Sequence, residues 1–207
     1  MTLLANKKGM ELSLTVLVLI ILTVIIFIGG IAFVWKLFAG AEEIKAGIDL
    51  NTQRQIEALL RDSNELVAIP VNTKATNPGK EVTFGLGIKN IQSTRGYFIL
   101  TSFSDLYDLQ GKLVDGSEKE HIEERWLGAF QHQGPIDVGK NKDAVVPLRI
   151  RAATTIAEEQ PTPRGSIAAF NVCVTDAELT EGTDCAPGIP PETLYGNKIR
   201  QVFVEIR

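Results

Sequence analysis

Two histidines and two cysteines are all that 207 residues offer to a soft or borderline metal. His121, His132, Cys173 and Cys185 lie too far apart in the chain to suggest a tetrahedral set. Asp105, Asp108 and Asp115 lack the spacing of a calcium loop. There is no GxxxxGKS/T or GxGxxG loop to cradle phosphate, no HExxH pair and no GxSxG elbow. The sequence therefore names no catalytic residue, no metal site and no cofactor, and the expected protein is not an enzyme. N-x-S/T acceptors are also missing. Basic excess is absent as well. The formal charge is -4, and residues 1–62 carry six basic and six acidic side chains, so the deficit lies downstream. An acidic domain without a basic face argues against nucleic acid as a partner.

What the chain does have is one long apolar run. Leu12–Trp35 contains 24 residues without a charge. About 20 suffice to cross the hydrocarbon of a bilayer as helix. The run exceeds the apolar core of a cleaved secretory signal, although Ala39-Gly40-Ala41 could serve as a cleavage site. A buried helix of a soluble protein is the remaining reading. Lys7 and Lys8 precede the run, whereas Lys36 is followed by Glu42 and Glu43. Basic residues favour the cytoplasmic side, so the expectation is a single-pass protein of the cell membrane with its N-terminus inside and its C-terminal domain outside. Gly29 and Gly30 would permit close helix contact or a bend, if they are more than lipid-facing filler.

The stretch KKGMELSLTVLVLIILTVIIF resembles the class III signal and first helix of archaeal type IV pilin-like proteins. The resemblance covers about 30 residues. It implies a prepilin peptidase that recognises Lys7, Lys8 and Gly9 and leaves Met10 as the mature N-terminus. It also implies a homo-oligomer packed through the N-terminal helix, with Glu11 able to neutralise a neighbour's terminal ammonium and Gly29 and Gly30 in the packing. Glu11 could equally rest at the headgroup level.

Residues 41–62 place Ile44, Ile48, Ile56, Leu59 and Leu60 at three- and four-residue steps, the pattern of an amphipathic helix. Continued from Glu11 to Asp62, such a rod would measure about 78 Å. Glu57 and Arg61 are spaced as an i,i+4 pair. After Asp62 the period changes to two. Strands are expected at 65–71, 81–90, 97–103, 144–151, 166–175 and 199–207, with Asn77-Pro78-Gly79-Lys80 as a turn. On 81–90, Val82, Phe84, Leu86 and Ile88 share one face, and Gly85 and Gly87 on the other anticipate a close backbone approach or a covered sheet. Pro147 suits an edge strand or a bulge. Residues 104–131 read as a hairpin or long excursion, and 131–143 as polar and turn-rich. Glu118, Glu120, Glu123 and Glu124 read as a solvated surface, and Trp126 and Phe130 as packing residues.

Short strands without a βαβ rhythm indicate an all-β sandwich. NPGKEVTFGLGIKN, AVVPLRIR and SIAAFNVCVT are similar to extracellular Ig-like modules of archaeal and bacterial surface proteins. Cys173 falls in a strand and Cys185 twelve residues on, in a Gly- and Pro-rich loop. In an oxidising exterior they would pair. Otherwise Cys173 is a free core residue and Cys185 is unrelated to it.

The resulting expectation is a long N-terminal α-helix, transmembrane then amphipathic, followed by an Ig-like β-sandwich. Its parts are a basic leader at 1–9, a transmembrane helix at 10–38, a helical continuation or stalk at 39–63 and an extracellular domain at 64–207. The expected role is a structural subunit of a pilus-like surface filament held in the lipid bilayer. A monomeric single-pass protein with an extracellular binding domain is the alternative, and a membrane-tethered enzyme the more remote one.

Overall fold

A computed structural model of the chain describes residues 16–27, 48–63, 65–177 and 183–207. It divides into two units, Met1–Ala46 and Gly47–Arg207. In the first, residues 16–27 are helical (α1), and each of them is exposed. Among the described residues no helix is long and apolar enough to cross a membrane.

That finding corrects the transmembrane helix, and with it everything that depended on it. The pilin-like assignment, the bilayer as partner, the single-pass topology and the filament held through this helix are not supported. The binding-domain and tethered-enzyme alternatives fall too, since both required the same anchor. Lys7, Lys8, Gly9, Met10 and Glu11 of the inferred peptidase and assembly site lie outside the described residues, as do Gly29 and Gly30.

The second unit shows why no 78 Å rod forms. Helix α2 spans Leu50–Asp62, and Asp49 before it has extended backbone, φ -69° and ψ 154°. Asp49 is an N-cap: its carboxylate accepts from the Thr52 N–H at 2.7 Å and the Thr52 hydroxyl at 3.1 Å. An extended, capped residue is where a helix begins. At the other end the Ser63 N–H still reaches Leu59 O. The anticipated Glu57–Arg61 pairing gives way to a bond from Gln53 to Glu57 at 3.3 Å.

Eight strands follow: β1 (Val67–Ala68), β2 (Thr73–Thr76), β3 (Glu81–Lys89), β4 (Arg95–Tyr107), β5 (His132–Val138), β6 (Asp143–Arg151), β7 (Ile167–Thr175) and β8 (Arg200–Ile206). One sheet has the order β1-β3-β6 and the other β2-β8-β7-β4-β5. Pairing is antiparallel except between β2 and β8. Phe84, Leu86, Ile88, Leu148 and Ile150 of the smaller sheet share one core with Ile99, Phe103, Phe170, Val172, Val202 and Val204 of the larger.

The outer face of β3 is the bare one. A methyl on Gly85 would lie 2.8 Å from Ile56 Cδ1, and one on Gly87 would overlap Ile56 and Leu60 of α2. The two glycines thus admit the helix against the sheet. Ile56 and Leu60 are fully buried there beside Ala68.

The all-β, Ig-like expectation is corrected to a mixed helix and sheet domain in which a 13-residue helix packs on a sheet and the β-structure curls as a half-barrel. Register shifts within β4, at Tyr97/Ile99 and Phe103/Asp105, are bulges that bend a strand in this way. The excursion at 104–131 contains a short helix α3 (Lys119–Ile122), a wide helical turn at Glu123–Leu127 and a 3-10 turn at Gly128–Phe130. Strands β2 and β5 were missed because both are polar; β5 contains Pro135, preceded by a cis peptide bond. Pro147 lies on β6, an edge strand, as its lack of an N–H requires.

Candidate functional site: a groove over the larger sheet

Alternation decides which residues of β7 and β8 face outward. Phe170, Val172, Val202 and Val204 enter the core. Asn171, Gln201 and Phe203 therefore occupy the opposite face. Asn171 and Gln201 are register partners, and the Gln201 Nε2 donates to Asn171 Oδ1 at 3.0 Å. Asn171 is only 3% exposed, whereas Gln201 is exposed.

These residues line an open groove of about 410 Å³, together with Asn72, Glu65 and Arg200. A second hollow of about 560 Å³ adjoins it, and Glu65 and Arg200 line both. The boundary is an ion pair. Arg200 Nη2 lies 3.0 Å from Glu65 Oε2 and donates to Val67 O at 2.8 Å. Arg200 Nε is buried and has no partner among the described residues. Lys198 stands 4.0 Å from the other Glu65 oxygen.

One wall depends on the cysteines. Cys173 and Cys185 form the expected disulfide, with Cα atoms 5.7 Å apart. The bridge draws the segment after β7 across the outer face, where Leu100, Cys173, Cys185 and Leu194 bury one another and Ile189 and Ile199 pack on them. The Cys185 N–H donates to Ser102 Oγ at 2.9 Å and the Tyr195 N–H to Val174 O at 2.7 Å. Pro187 and Ile199 of this strap line the 410 Å³ groove.

The acidic cluster at 118–124 is not uniformly a solvated face. Glu123 is buried on the wide turn that Gly128 N–H closes onto Glu123 O. Its Oε1 accepts from the Phe103 N–H at 2.8 Å and its Oε2 from Gln131 Nε2 at 3.2 Å. Burial pushes its carboxyl above the ordinary glutamate range, opposed by the Phe103 bond and by Lys119. Lys119 in turn pairs with Asp184, next to the disulfide. Through Oε1 Glu123 serves the β4 bulge and through Oε2 the start of β5, so the residue joins the helical excursion to the sheet.

Trp126 is buried, as a packing residue should be, and its indole donates to Thr155 O at 3.2 Å. Phe130 is half-buried under Arg149, 5.6 Å from ring centre to guanidinium carbon. His121 Nε2 lies 2.9 Å from Thr155 Oγ1. Among the described residues no group of three or more His, Cys, Asp or Glu side chains could hold a metal ion.

The groove residues carry no sequence motif. Their signal was weak but present: polar Asn171 and Gln201 sit at outward positions of two strands, while Arg200 of β8 and Glu65 before β1, far apart in sequence, meet only where the two sheets come together.

No protein-family model matches the chain, and no curated protein does. Solved structures match at the level of distant shape. A family 123 glycoside hydrolase from Clostridium perfringens is similar over 75% of this chain at 14% identity, with a TM-score of 0.38. The chain spans 25% of that enzyme's length. The CARDB domain of a Pyrococcus furiosus protein, solved in complex with di-metal ions, is similar over 68% of this chain and 84% of its own, at 12% identity and a TM-score of 0.31. A sporulation control protein from Bacillus subtilis covers 68% of this chain and 48% of its own, at 12% identity and a TM-score of 0.28. At these scores the similarities carry no argument about activity.

Proposed function

We propose that residues 48–207 form a non-catalytic recognition module that binds a ligand in the groove over the larger sheet. The observation that carries this reading is Asn171. A side-chain amide buried in a sheet face costs stability unless its polar atoms are bonded. Here it forms part of an open groove, oriented by Gln201 and flanked by Arg200, which Val67 O and Glu65 hold in place. Polar groups held in place by packing and second bonds are what a binding site needs. Recognition of this kind needs no turnover, no metal and no cofactor.

The test is ligand screening of the full chain against its Gln201→Ala variant. Gln201 is exposed, so the variant should fold. Binding that weakens in the variant supports the groove. Binding that is indifferent to both Gln201→Ala and Asn171→Ala places the site elsewhere and overturns the reading.

A further inference from the structure

We infer that the groove takes a neutral oligosaccharide, an inference that rests on the recognition reading above and names its ligand class. Three features of the groove point the same way. First, its floor lies on β8, which is hydrogen-bonded to β2 on one side and β7 on the other. No free backbone edge is available there for strand addition by an extended peptide, so side chains must make the contacts. Second, the charges in the 410 Å³ groove cancel, since Glu65 and Arg200 are its charged lining residues and pair with each other. Phosphate, sulfate or a nucleotide would find no net positive field. Third, the rest of the lining is amide and hydrocarbon. Asn72, Asn171 and Gln201 each carry donors and an acceptor, the combination a sugar hydroxyl also carries.

Half-buried Phe203 offers an apolar surface for the C–H face of a sugar ring beside those amides. The adjoining hollow, with Tyr195, Lys198 and Asp176 in its lining, extends the track past the Glu65–Arg200 pair, so a chain of sugars fits better than one.

The experiment is calorimetric titration of the full chain with three sets of probes. These are neutral hexose and N-acetylhexosamine oligosaccharides, sulfated and uronic oligosaccharides, and unstructured peptides. The expected result is binding of one or more neutral oligosaccharides. Phe203→Ala and Gln201→Ala should each weaken it about tenfold, the loss of one ring contact or one amide bond pair. Phe203→Trp should restore affinity, which a merely structural role for the ring would not allow. Binding of acidic sugars or peptides instead, lost in the same variants, overturns the saccharide class and leaves the groove as a recognition site. Neutral-sugar binding untouched by either variant, or no binding by any set, overturns both.

Discussion

Glu123 and Asp49 are carboxylates with opposite pH behaviour. Burial raises the Glu123 pKa, so the folded state holds its proton over a window where the unfolded chain has already released it. Stability from this residue is therefore greatest on the acid side and falls as pH rises through the ordinary glutamate range to the raised value. Glu123→Gln should flatten that slope in chemical denaturation on the alkaline side of the ordinary glutamate value. Asp49 is the reverse. The Thr52 bonds lower its pKa, so its contribution is present above the ordinary aspartate value and is lost as pH falls through the lowered one. Asp49→Ala should lower stability at neutral pH and have little effect at the acid end. Arg200 is the residue on which the groove turns, because it bonds both Val67 and Glu65 and lines both hollows. Arg200→Lys keeps the charge but loses the planar fork, and should weaken groove binding while leaving the fold intact.

At the level of elements, α2 and β3 depend on two missing side chains. Gly87→Val would drive a branched side chain into Ile56 and Leu60, and overpacking of this kind costs about 1–3 kcal/mol. Thermal denaturation should show the loss, together with weakened protection of the α2 amides. The disulfide strap is the second dependency. A loop of this length stabilises by about 3 kcal/mol on the chain-entropy account. Cys173→Ser with Cys185→Ser should lose stability of that order and also weaken groove binding, since Pro187 and Ile199 form part of the lining. Much of this was legible in advance. Alternation placed β3, β6, β7 and β8 closely, and the paired glycines anticipated a covered face. The helical excursion was not legible, because Glu123 looks like its solvated neighbours until the β4 bulge supplies an N–H to bury it against.

For the whole molecule, hydrophobicity proved a poor guide to organisation. Twenty-four uncharged residues satisfy every length criterion for a spanning helix, yet among the described residues no helix is long and apolar enough to cross a membrane. Length and hydropathy describe composition, whereas the start of a helix is decided by a single residue, as Asp49 decides it for α2. The groove was hidden for the opposite reason. It is built from Asn72, Asn171 and Arg200, which come together only when β8 inserts between β2 and β7, and from Glu65, which reaches Arg200 from the start of the other sheet.

The most direct test of the account is nuclear magnetic resonance of the isotope-labelled full chain, titrated with neutral oligosaccharides. The side-chain amide signals of Asn72, Asn171 and Gln201 and the Nε–H signal of Arg200 should shift together and saturate at one ligand concentration. Shifts clustered elsewhere, for instance around Glu123 and Lys119, with these four signals unmoved, would contradict it.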